Sequence, residues 1–535
     1  MKKMLLLVAA LFTAATSFAQ EDFEDPTWTK TINGVVEDAE DVYVNAPLVI
    51  TNQGDVVKTG TFTQAFEFAG KSLEPVAKSA YILKYDKKGN EVWGNALQGA
   101  ATVTAITADE AGNVFVAGVF ADKVIITSTD GQTAEINGME DETAQVSGFI
   151  ASFDKDGKLL AHKTVIPEVN WELFYTALEF EGFYMYDAQF RINHLVASGD
   201  KVYLTARYAS TCNIDDIQLA GKVLDMYGMG SFCIDLYNFA AIELDKNLGN
   251  AKLLANVQTS DEAVYGDSQM EPQDMSLAVD GDNVFVAWTG TGDLTMTTEN
   301  ESRNYSFEFG YDAQEHGFVV VNTTTEQAEV FHAPASEKAA LVYKVADMKV
   351  FEGNIYLAGT FNGSLAFDNT LTSTGACDAY LVAINPSDLT VIWAQNSGID
   401  EGDENKLYET VLGLEVRDLD AVSSIVNTID MGTNTIVRSN LFAYDPEEKQ
   451  VYVVTAPANY TAFSTGIAGF ALNSNVDTES TLSYYADEEF TQGIETIDKS
   501  QLTIDNGAVF NLQGQKVTKA QKGVYIQNGK KVVLK

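Results

Sequence analysis

Residues 104–164 decide the fold. They open TAITADEAGNVFVAGVF (104–120) and close GFIASFDKDGKLLAHKT (148–164). The apolar runs Ala105–Thr107 and Val114–Phe120 flank the turn Asp109–Asn113. The runs Phe149–Phe153 and Lys158–Thr164 flank the turn Asp154–Gly157. Gly and Asp stand where tight turns need a left-handed residue or a side chain that can bond the backbone, so each half reads as a β-hairpin. Two hairpins give one unit of four antiparallel strands.

The unit recurs. Second strands read DVVKTG (55–60), NVFVAG (113–118), KVYLTA (201–206), NVFVAW (283–288), NIYLAG (354–359) and QVYVVT (450–455). Third strands read AYILKYD (80–86), GFIASFD (148–154), FAAIELD (239–245), GFVVVN (317–322), AYLVAIN (379–385) and GFALN (469–473), and fourth strands carry Trp93, Phe331 or Trp393. Repeats of this size predict a solenoid, a propeller or an array, and four antiparallel strands per repeat select the propeller. The strands are near-continuous apolar runs, as suits sheets covered on both faces. The expectation is an all-β, six-bladed β-propeller, with room for a seventh blade in the poorly patterned 396–440. Trp28–Ile32 looks like a fourth strand without the preceding three, so it should close the last blade and leave no sheet edge exposed.

The repeat resembles the β-propeller repeats of bacterial exported proteins, whose pattern runs strand, D-x-x-G-N-V-Y-V-x-G, loop, A-F-v-x-K-x-D. Asp109–Gly118 with Gly148–Asp154 is the nearest copy, and Ala206-Arg207 departs from it where the Gly should stand. The resemblance implies fold only, since propellers host many functions. A second resemblance lies at the C-terminus. Residues 508–517 (AVFNLQGQKV) and 523–535 (GVYIQNGKKVVLK) are similar to the end of the C-terminal sorting (Por) domains of type IX secretion cargo, without the front half and its Asn-Pro element. It implies secretion machinery as a partner of the tail.

The ends and the charge frame the function. Lys2-Lys3, the apolar run Met4–Phe12 and Ser17-Phe18-Ala19 before Gln20 read as a secretory signal peptide over 1–19. That run is too short to span a bilayer, and no later run is long enough, so no transmembrane span is expected. The organisation expected is signal peptide 1–19, propeller 20–495 and β-rich tail 496–535, in a secreted or outer-surface protein. The formal net charge is −42. Such a body repels nucleic acid and anionic membranes. The tail runs the other way, with seven Lys against Asp498 and Asp505.

Variation concentrates between second and third strands (121–147, 209–238, 289–316, 362–378) and between blades (165–192, 257–274, 396–438). Strand alternation puts both kinds on one side of the ring, and a scaffold that varies on one face usually binds there. The richest insertion, WELFYTALEFEGFYMYDAQF (171–190), offers Trp171, Phe174, Tyr175, Phe183, Tyr184 and Tyr186. NYSFEFGY (304–311) adds Tyr305 and Tyr311. Aromatic side chains combine apolar area with a polar tip and suit sugar rings or peptide side chains. The same residues can instead pack on one another and roof the ring, as aromatics in strands ordinarily do.

Catalytic signals are absent from the sequence. His162, His194, His316 and His332 show no ligand spacing, and there is no G-x-S-x-G and no P-loop. Asp154–Gly157 and Asp280–Asn283 are fragments of calcium loops without the distal Glu, and read as turns. No cofactor and no metal is expected. Cys212 and Cys233 fall in one insertion and can pair once exported; with Cys377 they are too few for a disulfide scaffold. The function expected is non-catalytic binding of a glycan or protein ligand on the insertion-bearing face. The alternatives are an extracellular hydrolase or lyase using carboxylates there, and a purely structural surface protein.

Overall fold

The computed structural model describes residues 25–36, residues 48–486 apart from short stretches (140–145, 226–231, 261–271, 308–313, 337–343, 399–406, 417–421 and a few positions between them), and strands within 495–534. The chain is a β-propeller of four-stranded antiparallel blades. Among the described residues there are seven such sheets. Their first strands are Leu48–Ile50, Ala101–Ala108, Gln189–Ser198, Pro272–Asp280, Lys344–Phe351, Leu407–Val416 and Ala462–Gly466. Each of these strands touches the next, and the last touches the first, so the sheets stand in a ring around an axis.

The difference from the six repeats read in sequence lies at the end. Residues 396–440 supply most of blade six: its second strand is Val422–Asp430, and Gln450–Thr455 is its fourth strand, not a second one. Gly469–Val476, read as a third strand, is the second strand of blade seven. That blade is completed by Trp28–Asn33, paired antiparallel with Glu479–Ala486 from Trp28↔Tyr484 to Asn33↔Glu479. Trp28 stacks on Tyr484 at 5.2 Å. The closing seam also holds a buried lysine, Lys58, whose Nζ donates to Ser480 Oγ at 2.6 Å and whose amine burial pushes down to about 7.

The repeat signature has a local cause. In blades two to six the first strand bulges: Thr104, Asn193, Gln273, Ala346 and Leu412-Gly413 are left out of register with the second strand. A bulge bends its strand and carries it toward the partner. At two copies of the Ala-Gly motif the approach leaves no room for a side chain. A Cβ on Gly118 would lie 2.0 Å from the Thr102 carbonyl oxygen, and one on Gly359 would lie 1.9 Å from that of Lys344. The Asp of the turn motif is used by the turn itself. Asp109 Oδ1 accepts from the backbone N–H groups of Ala111 and Asn113, and Asp154 Oδ1 from those of Asp156 and Lys158.

The insertions between second and third strands do not stay on one face. Lys123–Thr127 pairs with the fourth strand of blade one (Ile126↔Leu97) and is extended by Thr133–Asn137. Asp293–Thr297 pairs with the fourth strand of blade three from Asn256↔Thr297 to Thr259↔Leu294, and is extended by Ser302–Ser306. Ser364–Ala366 pairs with the fourth strand of blade four. Each hairpin thus widens the preceding blade at the rim and covers its edge. Blade three differs. Its insertion forms the hairpin Thr211–Ile214/Ile217–Leu219 on Pro167–Glu168, then Lys222–Asp225 and Phe232–Leu236, the latter parallel to Phe183–Met185.

Cys212 and Cys233 fall in two different small sheets and belong to two different buried clusters. Both are buried and in no disulfide, as is Cys377, so the pairing expected as an option is not made in this structure. Near the C-terminus, Glu495–Ile497, Lys530–Leu534, Gly523–Gln527 and Val509–Phe510 make a separate four-stranded sheet, with Gln527↔Lys530 setting a two-residue loop. No helix among the described residues is long and apolar enough to cross a membrane.

Candidate functional site: an aromatic platform joined to the axis

The segment between blades two and three folds into a helix, Trp171–Glu179, which the sequence reading treats only as an aromatic insertion. Asn170 caps it, accepting the Leu173 N–H on Oδ1 at 3.0 Å. Glu181 ends it in the left-handed region (φ 55°), and the Gly182 N–H returns to the Ala177 carbonyl at 2.8 Å. Ala177 is buried, and Leu173 and Phe174 are half-buried, against Val169, Tyr184, Ala188 and Cys233.

The other side of the helix is apolar too. Trp171 is 47% exposed, Tyr175 62% and Leu178 55%, and the neighbouring strand adds Phe183 at 51% and Met185 at 48%. Trp171 and Tyr175 each meet Phe174 edge-on, at 5.5 and 5.6 Å, which fixes the rings as a group. A surface helix normally turns one apolar stripe inward and shows polar residues outside. Here the pattern Trp171, Tyr175, Leu178 faces solvent.

The expected ligand-contacting residues therefore separate. Trp171, Phe174, Tyr175 and Phe183 lie together on the platform. Tyr184 does not: it is buried, and its hydroxyl donates to Asp235 Oδ1 at 2.6 Å. Tyr305 is half-buried on a rim strand, edge-on to the fully buried Trp288 at 5.1 Å, and acts in packing. Tyr186 and Tyr311 lie outside the described residues.

Beneath the platform a chain of polar groups runs to the axis. Asp235 also accepts the Ser210 hydroxyl at 2.6 Å and the Asp187 N–H at 3.1 Å, and burial raises its carboxyl above the ordinary range. The Tyr237 hydroxyl donates to Asp187. Arg207 lies over the Tyr237 ring at 4.5 Å and donates from Nη2 to Gln189 Oε1 at 2.9 Å. Beside it on blade four is Asp274, pushed up to about 6 by burial, against the pull of Lys344 and Arg207. None of these polar residues is marked by the repeat; only Ala206-Arg207, where the motif wants Gly, signals the site.

Farther along the axis is a cavity of about 360 Å³ walled by the first strands of all seven blades. Its polar wall includes Asn193, His194, Asp347, Lys349 and Thr465. Burial pushes His194 down to about 4, and the Asp347 carboxylate works against that. Asp347 Oδ2 accepts the Leu414 N–H at 2.9 Å, while Lys349 donates to the Leu414 carbonyl and, at 3.4 Å, to Thr465 Oγ1. The other histidines sit in blade strands: His162 and His332 in fourth strands, His316 buried in the third strand of blade four.

No protein-family model and no curated protein sequence matches the chain. Solved propeller structures do align with it. BamB from Moraxella catarrhalis is 10% identical with a TM-score of 0.29, covering 80% of this chain and 98% of its own. The WD40 domain of SCAP from fission yeast is 8% identical at 0.31, covering 86% and 99%. An α-L-arabinanase from Penicillium chrysogenum, solved with arabinobiose, is 9% identical at 0.35, covering 78% and 99%. Scores at this level add nothing to the architecture read from the sheets and are silent on ligand and activity.

Proposed function

We propose that this protein binds a glycan or protein ligand without catalysis, through the platform of Trp171, Phe174, Tyr175 and Phe183 in the segment between blades two and three. The exposed apolar face of the helix Trp171–Glu179 carries the reading. Contiguous exposed apolar area rimmed by polar residues marks interaction sites, and aromatic side chains are the usual anchors of such contacts. The leader read at 1–19 and the Lys-rich tail support a reading in which this binding takes place outside the cell, with the tail serving delivery by secretion machinery. Deleting 500–535 should leave the propeller folded and abolish surface delivery.

The test is retention on a glycan array and on immobilised extracellular proteins, for the wild type and for Trp171→Ala and Tyr175→Ala. Both side chains are about half in water, so thermal stability should hold to within about 0.5 kcal/mol. Retention should fall at least about tenfold. Undiminished retention in both variants would sink the platform.

A further inference from the structure

The axial cavity of about 360 Å³ is a second concave site, set apart from the platform. Each first strand starts on the side of the connection from the preceding blade and ends in the turn to its second strand. The residues around the cavity fall in the later half of these strands: Ala105, Ile106 and Thr107 in Ala101–Ala108, Ala278 and Val279 in Pro272–Asp280. The platform segment joins blade three at the other end, ahead of Gln189. The charges of the cavity are already spent. Asp347 Oδ2 accepts the Leu414 N–H at 2.9 Å, Lys349 donates to the Leu414 carbonyl, and the two side chains lie 3.7 Å apart. His194 feels the Asp347 carboxylate from blade three, and burial keeps the imidazole neutral. The neutral groups are not spent. The half-buried side chains of Thr107, Asn193 and Ser464 make no hydrogen bond to any described residue. Asn193 stands there because the bulge leaves it out of register with the second strand. Leu195, Val279, Phe351 and Phe463 make the wall otherwise apolar.

We propose that this cavity is a binding site for one neutral sugar ring, entered from the side of the tight turns. The site is independent of the platform and stands whether or not the platform binds. Its volume lies at the lower end of small-molecule sites, which run from roughly 300 to 1,000 Å³ and join apolar walls to a few placed polar groups. The charge pattern selects the class. The turns at 109–113, 199–200, 281–282 and 352–353 expose Glu110, Asp200, Asp282 and Glu352 and contain no basic residue, so the mouth repels an anion. A cation that passes it meets Lys349, whose partner Asp347 is already engaged. A neutral sugar offers hydroxyls to Asn193, Thr107 and Ser464 and its C–H faces to the apolar wall.

The experiment is calorimetric titration of the full chain with glucose, galactose, mannose, xylose and arabinose, and with the uronic acids and 2-amino sugars of the three hexoses. At least one neutral sugar should bind, and the acids and amines should bind at least about tenfold more weakly. Asn193→Ala and Thr107→Val should each weaken the neutral sugar about tenfold, the worth of one hydrogen bond to a hydroxyl. Both should keep the thermal midpoint, because neither side chain bonds to the fold. Ser464→Leu, which fills part of the cavity, should abolish binding. Binding of no neutral sugar overturns the site, as does equal binding of the charged forms. A lowered midpoint in Asn193→Ala and Thr107→Val with unchanged affinity makes these groups structural and overturns it too. Trp171→Ala separates the two sites. Unchanged sugar affinity in that variant supports the cavity; loss of it moves the sugar to the platform, which then stands while the cavity site fails.

Discussion

The insertion of blade four and the segment of blade three around Trp171 are both rich in aromatics, and the structure uses them in opposite ways. In blade four, Asp293–Thr297 and Ser302–Ser306 extend the sheet of blade three, and Tyr305 and Phe307 fold inward onto Trp288. Near blade three, the helix Trp171–Glu179 lies on a small separate sheet and keeps Trp171, Tyr175 and Leu178 in water. Aromatic content alone does not make a binding surface. What decides is whether backbone hydrogen bonds commit the segment to a blade edge. A hairpin that supplies fifth and sixth strands points one side of its residues into the core, whereas a capped helix with one buried face has a second face to offer.

The strongest way to break this comparison is to empty the joint of the rim hairpin. Phe307 is buried and packs so closely over Gly317 that a Cβ there would lie 1.7 Å from its ring. Phe307→Ala should cost about 3–5 kcal/mol, read as a lower urea midpoint, because the cavity lies under a strand that cannot collapse without leaving the sheet. A loss under about 1 kcal/mol would mean the hairpin is no more committed than the helix, and the contrast would fail.

The ring was legible because its signals are local. The Asp109 turn with its strand carrying Ala-Gly, and the turns at Asp154 and Asp245 that lead into fourth strands, set a period that needs no knowledge of distant partners. Blades six and seven lack that signature, so their strands slipped by half a repeat, and QVYVVT at 450–455 passed for a second strand. The rim hairpins were illegible for a different reason: the strand they join belongs to the preceding repeat, and nothing in their sequence names it. The helix could have been read from Asn170 and the spacing of Trp171, Tyr175 and Leu178, which the density of aromatics hid. The facing of Arg191 and Arg207 depends on the bulge at Asn193, which shifts the register by one residue and is invisible in a strand pattern.

Acidity sharpens the comparison, because the rim joints are apolar while the blade-three insertion ends on titratable groups at the axis. Asp274 titrates at about 6 in the fold, above its ordinary 3.8. The folded state therefore holds its proton more tightly. The stability it contributes is complete at acid pH and lost as pH rises from about 4 through 6. His194 titrates at about 4, below its ordinary 6.5. Its neutral form is the one the fold accepts, so stability is lost as pH falls from about 6.5 to 4. The two slopes oppose each other at about 1.4 kcal/mol per pH unit, so they nearly cancel in the wild type. Asp274→Asn should unmask a loss on acidification, and His194→Gln a loss as pH rises through the same window, each up to about 3 kcal/mol. Urea unfolding from pH 4 to 7 reads both, and profiles parallel to the wild type would refute the opposition.

The smallest effect tests the hinge between the two regions. Tyr184 belongs to the platform by its backbone, since its strand runs beside the helix, but to the axis by its hydroxyl, which donates to Asp235. Removing that one oxygen leaves the buried ring in place and takes a donor from a buried carboxyl that keeps the Ser210 hydroxyl and the Asp187 N–H. Tyr184→Phe should therefore cost only about 1–2 kcal/mol. Its distribution matters more than its size. Because the helix is committed to no blade, the cost should appear as faster amide exchange within 171–185, with the strands of the ring exchanging as before. Exchange that accelerates equally in Gln189–Ser198 would show that the platform and the axis open as one unit. The helix would then be as much a part of its blade as the hairpin of blade four is of the blade it widens.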